Sequence, residues 1–406
     1  MAKLSHVLIC CLASAPAGAA LATEKPAGPS FALRLVDGGV ITGPLESLTP
    51  EWSLRLGGGP SLLESREWYS LRRTGVVLPP LPTGEHVVLA NGDRVAGEAA
   101  RINEDRLSIR HCLGGDQELF IPLSALAAIW IQAPRTTDEV ERMPRRLAAE
   151  RRKNDMILLR NGDVVEGILL GLDRAKGVRL KAGKRELDFD FSSINVVALS
   201  TELMRLPRPS QVYGHLVLRD GTRLGLAAAT SDHIALEART LFGKNIKVPL
   251  DQVLALDLYQ GPALYLSDVE PREYKFTPFL GTIRWPYRND TSVCGRELVL
   301  ADGVHDKGVG LHSACRLTYE LLGKYRYFEA LVGLDGYSGR TGCARIDVLV
   351  DGKSRLRSGK ELTSQMEPKW IREDVQGAKT LTLVVDFGSY ADIQGHVDWA
   401  EARLIR

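Results

Sequence analysis

Through the first two thirds of the chain, alternating apolar and polar positions are interrupted again and again by an Asp-Gly or Asn-Gly pair. The pattern reads LVDGGVITG at Leu35 to Gly43, LANGDRVAG at Leu89 to Gly97, LRNGDVVEG at Leu159 to Gly167 and, one residue shorter, LRDGTRLG at Leu218 to Gly225. Period-two alternation around such a pair is a short hairpin signal, and a two-residue type I′ turn needs positive φ at both central residues. Each copy is therefore predicted to open with a type I′ hairpin. A second alternating run follows, such as DRLSIRH or DHIALEA, and then an apolar stretch such as ELFIPLSALAAIWI or ELDFDFSSINVVALS. Four or five short strands per repeat are enough for a small, strongly bent sheet or barrel.

The repeats predict β modules at 30–80, 84–132, 156–203 and 212–260. The unequal spacing of Gly38, Gly92, Gly162 and Gly221 indicates an array of related modules with variable linkers. The longest linker, 133–155, mixes several arginines with Asp138, Glu139, Glu141 and Glu150, and Pro144 can open a helix at its first turn. It is expected to be a solvated, charged helical connector.

From about Tyr265 the pattern changes. RELVLAD, ACRLTYEL, YRYFEALVGLD, KTLTLVVDFG and DWAEARLIR are longer alternating runs with no helical period between them. Two antiparallel sheets packed face to face, a jelly-roll β-sandwich over 262–406, accommodate them. The fold class is thus all-β: an array of small hairpin or barrel-like modules followed by a sandwich.

The N-terminus adds a location. Lys3, the apolar run Val7 to Ala13 and the small-residue site Ala20-Leu21-Ala22 have the layout of a signal peptide over residues 1–22, cleaved after Ala22, for a secreted or periplasmic protein. A retained anchor would need about 20 unbroken apolar residues; Ser14, Pro16 and Gly18 interrupt this run, and no later segment is predicted to span a membrane. Lys plus Arg total 52 against 50 for Asp plus Glu, a net charge of +2 that gives no support to nucleic-acid binding. Removal of the leader leaves Cys112, Cys294, Cys315 and Cys343, with no CxxC pair and no zinc spacing. Export permits a disulfide, and the pairing of the last three stays open.

Two resemblances follow from the motifs. The repeated LxNGDxVxG hairpin resembles the first motif of Sm-like small barrels over about fifteen residues. The second Sm motif is missing, so neither ring assembly nor RNA binding is implied. In the last third, YLSDVEP (Tyr265 to Pro271), KGVGLHSACRLTYEL (Lys307 to Leu321), FEALVGLDG (Phe328 to Gly336), IDVLVDGK (Ile346 to Lys353) and GHVDWAEARL (Gly395 to Leu404) resemble, in that order, the NPCBM family of carbohydrate-binding modules. The resemblance implies a galactose-binding-like β-sandwich of the kind attached to exported glycoside hydrolases, and a glycan partner, galactose-type sugars included. The chain departs from the family pattern at Gly395, where Asp-His is common, and at Cys343, where a small or apolar residue is common.

Sugar recognition requires an aromatic face for the C–H side of a pyranose and a few planar polar groups for its hydroxyls. Trp285, Trp370, Trp399 and Tyr337 could supply the face; His312, His396, Asp398, Arg340 and Asp335 could supply the polar groups. From these, His312, His396, Asp398, Trp399 and Trp285 form the candidate carbohydrate site. For His312 a structural role, bonded to a neighbouring backbone group or to Asp398, competes with a sugar contact. For Trp399, which sits in an alternating closing strand, a core position competes with a platform. Neither G-x-S-x-G nor H-E-x-x-H is present. Small β-modules rarely build the deep two-carboxylate cleft of a glycosidase. The expectation is a non-enzymatic protein without cofactor or metal, whose N-terminal modules act as spacer or as a surface for protein partners. The rival is a structural or interaction protein whose sandwich has lost sugar binding.

Overall fold

The computed structural model describes residues 28–59, 62–111, 118–132, 147, 151–206, 209–279, 283–356 and 361–406. The leader, Cys112 and most of the 133–155 connector lie outside the described residues; Asp155 already opens a strand. The chain is all-β, its strands punctuated by short 3-10 turns at Leu123–Ala125, Phe191–Ser193 and Leu266–Asp268.

The four Asx-Gly pairs do close hairpins, but not of the predicted type. Only the glycines, Gly38, Gly92, Gly162 and Gly221, have positive φ; the Asp or Asn before each does not. The Gly92 amide donates to the Leu89 carbonyl and the Leu89 amide to the Asp93 carbonyl, and the same two bonds recur at Leu35, Leu159 and Leu218. This is a three-residue loop, a type I turn followed by a left-handed glycine that makes a bulge. The Asx side chain selects it by accepting a hydrogen bond from the amide two residues on: Asp37 from Gly39, Asn91 from Asp93, Asn161 from Asp163 and Asp220 from Thr222. The glycine that ends the motif has a separate reason. A Cβ at Gly43, Gly97 or Gly167 would lie 2.2, 2.5 or 2.4 Å from a carbonyl oxygen of the next strand, so only glycine allows the strands to cross there.

Each repeat folds its last strand back onto its first: Trp68–Arg73 on Ser30–Leu35, Leu126–Trp130 on His86–Leu89, Ile194–Ala198 on Asp155–Leu159, and Val253–Tyr259 on Tyr213–Leu218. Those last strands then pair between repeats. Leu126–Trp130 joins Ile194–Ala198, and Trp68–Arg73 joins Val253–Tyr259, so the first repeat is bonded to the fourth and the second to the third. One apolar core runs through all four, with Phe31, Ile109, Ile157 and Leu216 fully buried in it.

The C-terminal part is a sandwich of two antiparallel sheets. One sheet runs Arg288–Asn289, Gly308–His312, His396–Ile405, Tyr327–Leu334, Lys369–Asp374, with Ala263–Tyr265 against the far end of His396–Ile405. The other runs Glu273–Phe276, Cys315–Glu320, Thr380–Phe387, Cys343–Val350, Lys353–Ser354. Leu311, Leu317, Tyr319, Phe328, Leu383 and Trp399 meet between them. Cys294, Cys315 and Cys343 are free thiols.

The sandwich is locked to the first and fourth repeats by buried charge. Glu329 accepts from the Tyr69 hydroxyl at 2.6 Å and from Arg403 and Arg372 at 2.8 Å each. Beside it, Arg72 reaches Asp257 of the fourth repeat at 2.5 Å and Glu401 of the sandwich at 3.2 Å. Burial alone would raise the Glu329 carboxyl, but Arg403, Tyr69 and Arg372 together hold it below the usual carboxylate range. Removing one member of such a network strands the others without compensation. Glu329→Ala should lower unfolding free energy by about 3–5 kcal/mol in denaturant titration, whereas Glu237→Ala, which removes an exposed, solvent-screened pair with Lys247, should leave it nearly unchanged. Equal effects would show that the interface is not held by its buried charges.

Candidate functional site

At one end of the sandwich, strand Gly308–His312 finishes beside the start of strand His396–Ile405, in a register that sets His312 directly opposite His396. Their rings are 5.2 Å apart. The loop entering Arg288–Asn289 carries Trp285 over them: its ring stacks on His312 at 4.6 Å and 8° and lies 5.4 Å from His396 at a steeper tilt. Phe276 meets His312 edge-on at 6.0 Å. Trp285 and His396 are half-buried, whereas His312 is only 2% exposed.

The two imidazoles are oriented from behind. His312 Nδ1 donates a short hydrogen bond to the Ser313 carbonyl, which leaves its Nε2 as the acceptor of a neutral ring. His396 Nδ1 lies 3.5 Å from the Cys294 sulfur. Burial, reinforced by Asp335, pushes the Cys294 thiol up, so it stays protonated and donates, and the His396 proton then sits on Nε2. Among the described residues neither Nε2 has a hydrogen-bond partner. Burial lowers the His312 pKa, and burial together with His312 lowers that of His396 to about 4. At neutral pH the cluster therefore offers one acceptor, one donor and a half-buried indole, all uncharged. That set suits the hydroxyls and C–H face of a neutral polyol.

The structure thus brings His312, His396 and Trp285 together and withdraws Asp398 and Trp399 from the surface. Alternation along His396–Ile405 sends Trp399 inward, where it is fully buried in the core between the sheets. Asp398 points out of the opposite face but is equally buried. Burial, then the neighbouring Asp335, pushes its carboxyl well above the usual range. His312 is bonded to backbone at Ser313 rather than to Asp398. Trp370 is elsewhere, with Arg34 over its ring at 4.0 Å, and Tyr337 lies under Arg296 at 4.7 Å. Phe276 and Cys294 complete the cluster without having been singled out in the sequence. Phe276 closes an alternating strand, EYKF, and could have been placed on the same face; nothing in the sequence pointed Cys294 at a histidine 102 positions away. Among the described residues no group of three or more His, Cys, Asp or Glu side chains could hold a metal ion, and no helix is long and apolar enough to cross a membrane.

A comparison with curated proteins gives no match. Among solved structures, the chain is similar to the CBM51-2 and INT domains of ZmpB from Clostridium perfringens in complex with GlcNAc, at 21% identity over 42% of this chain and 36% of that one, with a TM-score of 0.32. It is also similar to the CBM51 module of a GH95 protein from Clostridium perfringens in complex with methyl-galactose, at 27% identity over 35% of this chain and 99% of that one, TM-score 0.32. A third is the tandem CBM51 modules of the family 98 glycoside hydrolase from Streptococcus pneumoniae, at 21% identity over 36% and 47%, TM-score 0.31. The chain spans about a third of the first of these structures and about half of the third. The family likeness is confined to the C-terminal third, where residues 263–405 match the NPCBM/NEW2 domain model.

Proposed function

We propose that the chain is an exported, non-catalytic protein whose C-terminal sandwich binds a neutral glycan weakly at the Trp285, His312 and His396 cluster, with the N-terminal repeats as spacer and protein-contact surface. The observation that carries the reading is a pair of neutral imidazoles with unengaged Nε2 atoms beneath a half-buried indole, in a domain that matches a carbohydrate-binding family model. Export is supported by the leader pattern of Lys3, the apolar run and Ala20-Leu21-Ala22. A few hydrogen bonds and one stacking contact correspond to a Kd of about 10 μM to 1 mM. Galactose is the first sugar to test, because methyl-galactose occupies one of the similar solved modules.

The substitutions should separate contact from support. Trp285→Ala should weaken galactoside binding in calorimetry at least tenfold while lowering stability by only about 0.5–1.5 kcal/mol, the ring stack on His312. His312→Ala should lower stability by about 1–3 kcal/mol, the sum of a buried hydrogen bond and a ring stack, as well as weakening binding. Wild-type protein that is folded and binds no sugar on a glycan array would leave the rival reading, a sandwich kept only for structure or protein contact.

The histidines also fix a pH dependence. The folded-state pKa of His396, about 4, lies below the ordinary 6.5, so between those values the unfolded chain binds more protons and stability falls as pH drops from 6.5 towards 4. His86, stacked on Trp130 and likewise held at about 4 by burial, adds to the same slope. Thermal melts from pH 7 to 4 should therefore decline less steeply in His396→Asn than in wild type. Sugar affinity should be flat from pH 8 to 6 and fall only as His396 acquires charge. Parallel melting curves for the two proteins would show that His396 is not the depressed group.

A further inference from the structure

Where the first repeat meets the sandwich, a cavity of about 190 Å³ opens beside the exposed side chains of Val76 and Val77. Five cationic side chains, Arg34, Arg72, Arg73, His305 and Arg403, and the indole of Trp370 contribute to its wall. Four of the five cations are engaged by the protein. Arg72 is bonded to Asp257 and Glu401, and Arg403 to Glu329 and Glu401. His305 lies between Asp302 and Glu401, and Arg73 donates to the carbonyls of Leu250 and Asp251.

Arg34 is different. Among the described residues it makes no hydrogen bond and no ion pair, and its guanidinium is held 4.0 Å above the face of Trp370. Burial and the charge of Arg403 lower its pKa while Tyr69, Glu329 and Glu401 act the other way without bonding to it, so a partly desolvated cation stands there with no directly paired carboxylate. Such a charge is costly unless something pairs with it. Cation–π contact returns only part of that cost.

We propose that this cavity is a binding site for a small hydroxylated carboxylate of sugar-acid size, whose oxyanion pairs with Arg34. A planar guanidinium fork matches a carboxylate in two parallel hydrogen bonds. Asp302 at the mouth, 44% exposed, offers an acceptor for a ligand hydroxyl. The volume equals that of about six waters at about 30 Å³ each, below the roughly 300 Å³ at which pockets for larger ligands begin. The space inside is of single-sugar-acid size. The assignment is independent of the neutral cluster at Trp285, which lies at the end of the sandwich.

Calorimetry on the full chain at low salt, with glucuronate as probe, tests it. Glucuronate should bind saturably, glucose should not compete, and 300 mM NaCl should weaken binding several-fold. Arg34→Gln should weaken glucuronate binding at least tenfold, Arg34→Lys less, and neither should alter galactoside binding at the Trp285 cluster. Should Arg34→Gln melt early, Val77→Trp, which crowds the mouth from an exposed position, should cause the same loss. No saturable binding of glucuronate by folded protein, or undiminished binding in Arg34→Gln or in Val77→Trp, overturns the proposal. Sulfate or phosphate competing as tightly as glucuronate overturns the carboxylate assignment in favour of a general oxyanion site.

Discussion

The sandwich is set against the array of small repeats by buried charge, with Glu329 at the centre of the network and the Arg223–Asp306 pair as a second anchor. Glu329, on the central strand Tyr327–Leu334, receives a phenol from the first repeat and two guanidinium groups from its own sheet. Arg403 carries this network onward to Glu401, and Arg72 extends it to Asp257 of the fourth repeat. Apolar contact at this junction is small, a cluster of Tyr69, Ala263 and Ile405 flanked by Val36 and Tyr327. Hydrophobic burial is non-directional and would tolerate many relative orientations. Charged groups desolvated together tolerate few, because a displaced partner leaves an unpaired ion behind. The same junction requires the first and fourth repeats to be neighbours, which their strand pairing provides.

The two candidate sites are electrostatic opposites for the same reason, burial. At the end of the sandwich the histidines lie among aromatic rings with no acid bonded to them, so desolvation wins and they stay neutral. At the junction, His305 is as enclosed as they are, yet Asp302 and Glu401 outweigh desolvation and raise it to about 9. A neutral imidazole can accept or donate to a hydroxyl; a charged one only donates. The end of the sandwich is therefore chemically fitted to uncharged ligands and the junction to anions.

The hairpin frame was legible because Asx-Gly pairs between alternating residues have few alternative conformations. The turn type was not, since Asn91 and Asp93 flank Gly92 in a way compatible with either loop length. What decides is a hydrogen bond that the Asp93 amide donates to the Asn91 side-chain oxygen, which no residue count exposes. Pairing between repeats has its own signal in LAAIW, INVVA and VLALDLY, nearly continuous apolar runs that mark strands covered on both faces. In the site, His312 and Trp285 were visible as a histidine and a loop tryptophan beside glycine-rich sequence. Trp399 was equally visible, and alternation already carried the information that it and Val397 share the inner face.

With Trp399 in the core and Asp398 covered, the closing strand serves packing, and the exposed groups of the candidate site are few and lie at strand ends. His312 belongs to both sets: its ring supports Trp285 by stacking while its backbone continues the ladder to His396. The platform's position is therefore set by the core of the sandwich, and one face of its indole is already taken by His312. A site built this way is rigid and small, with little surface to desolvate. The affinity of such a site is bounded by the number of groups it presents and by how firmly they are held beforehand.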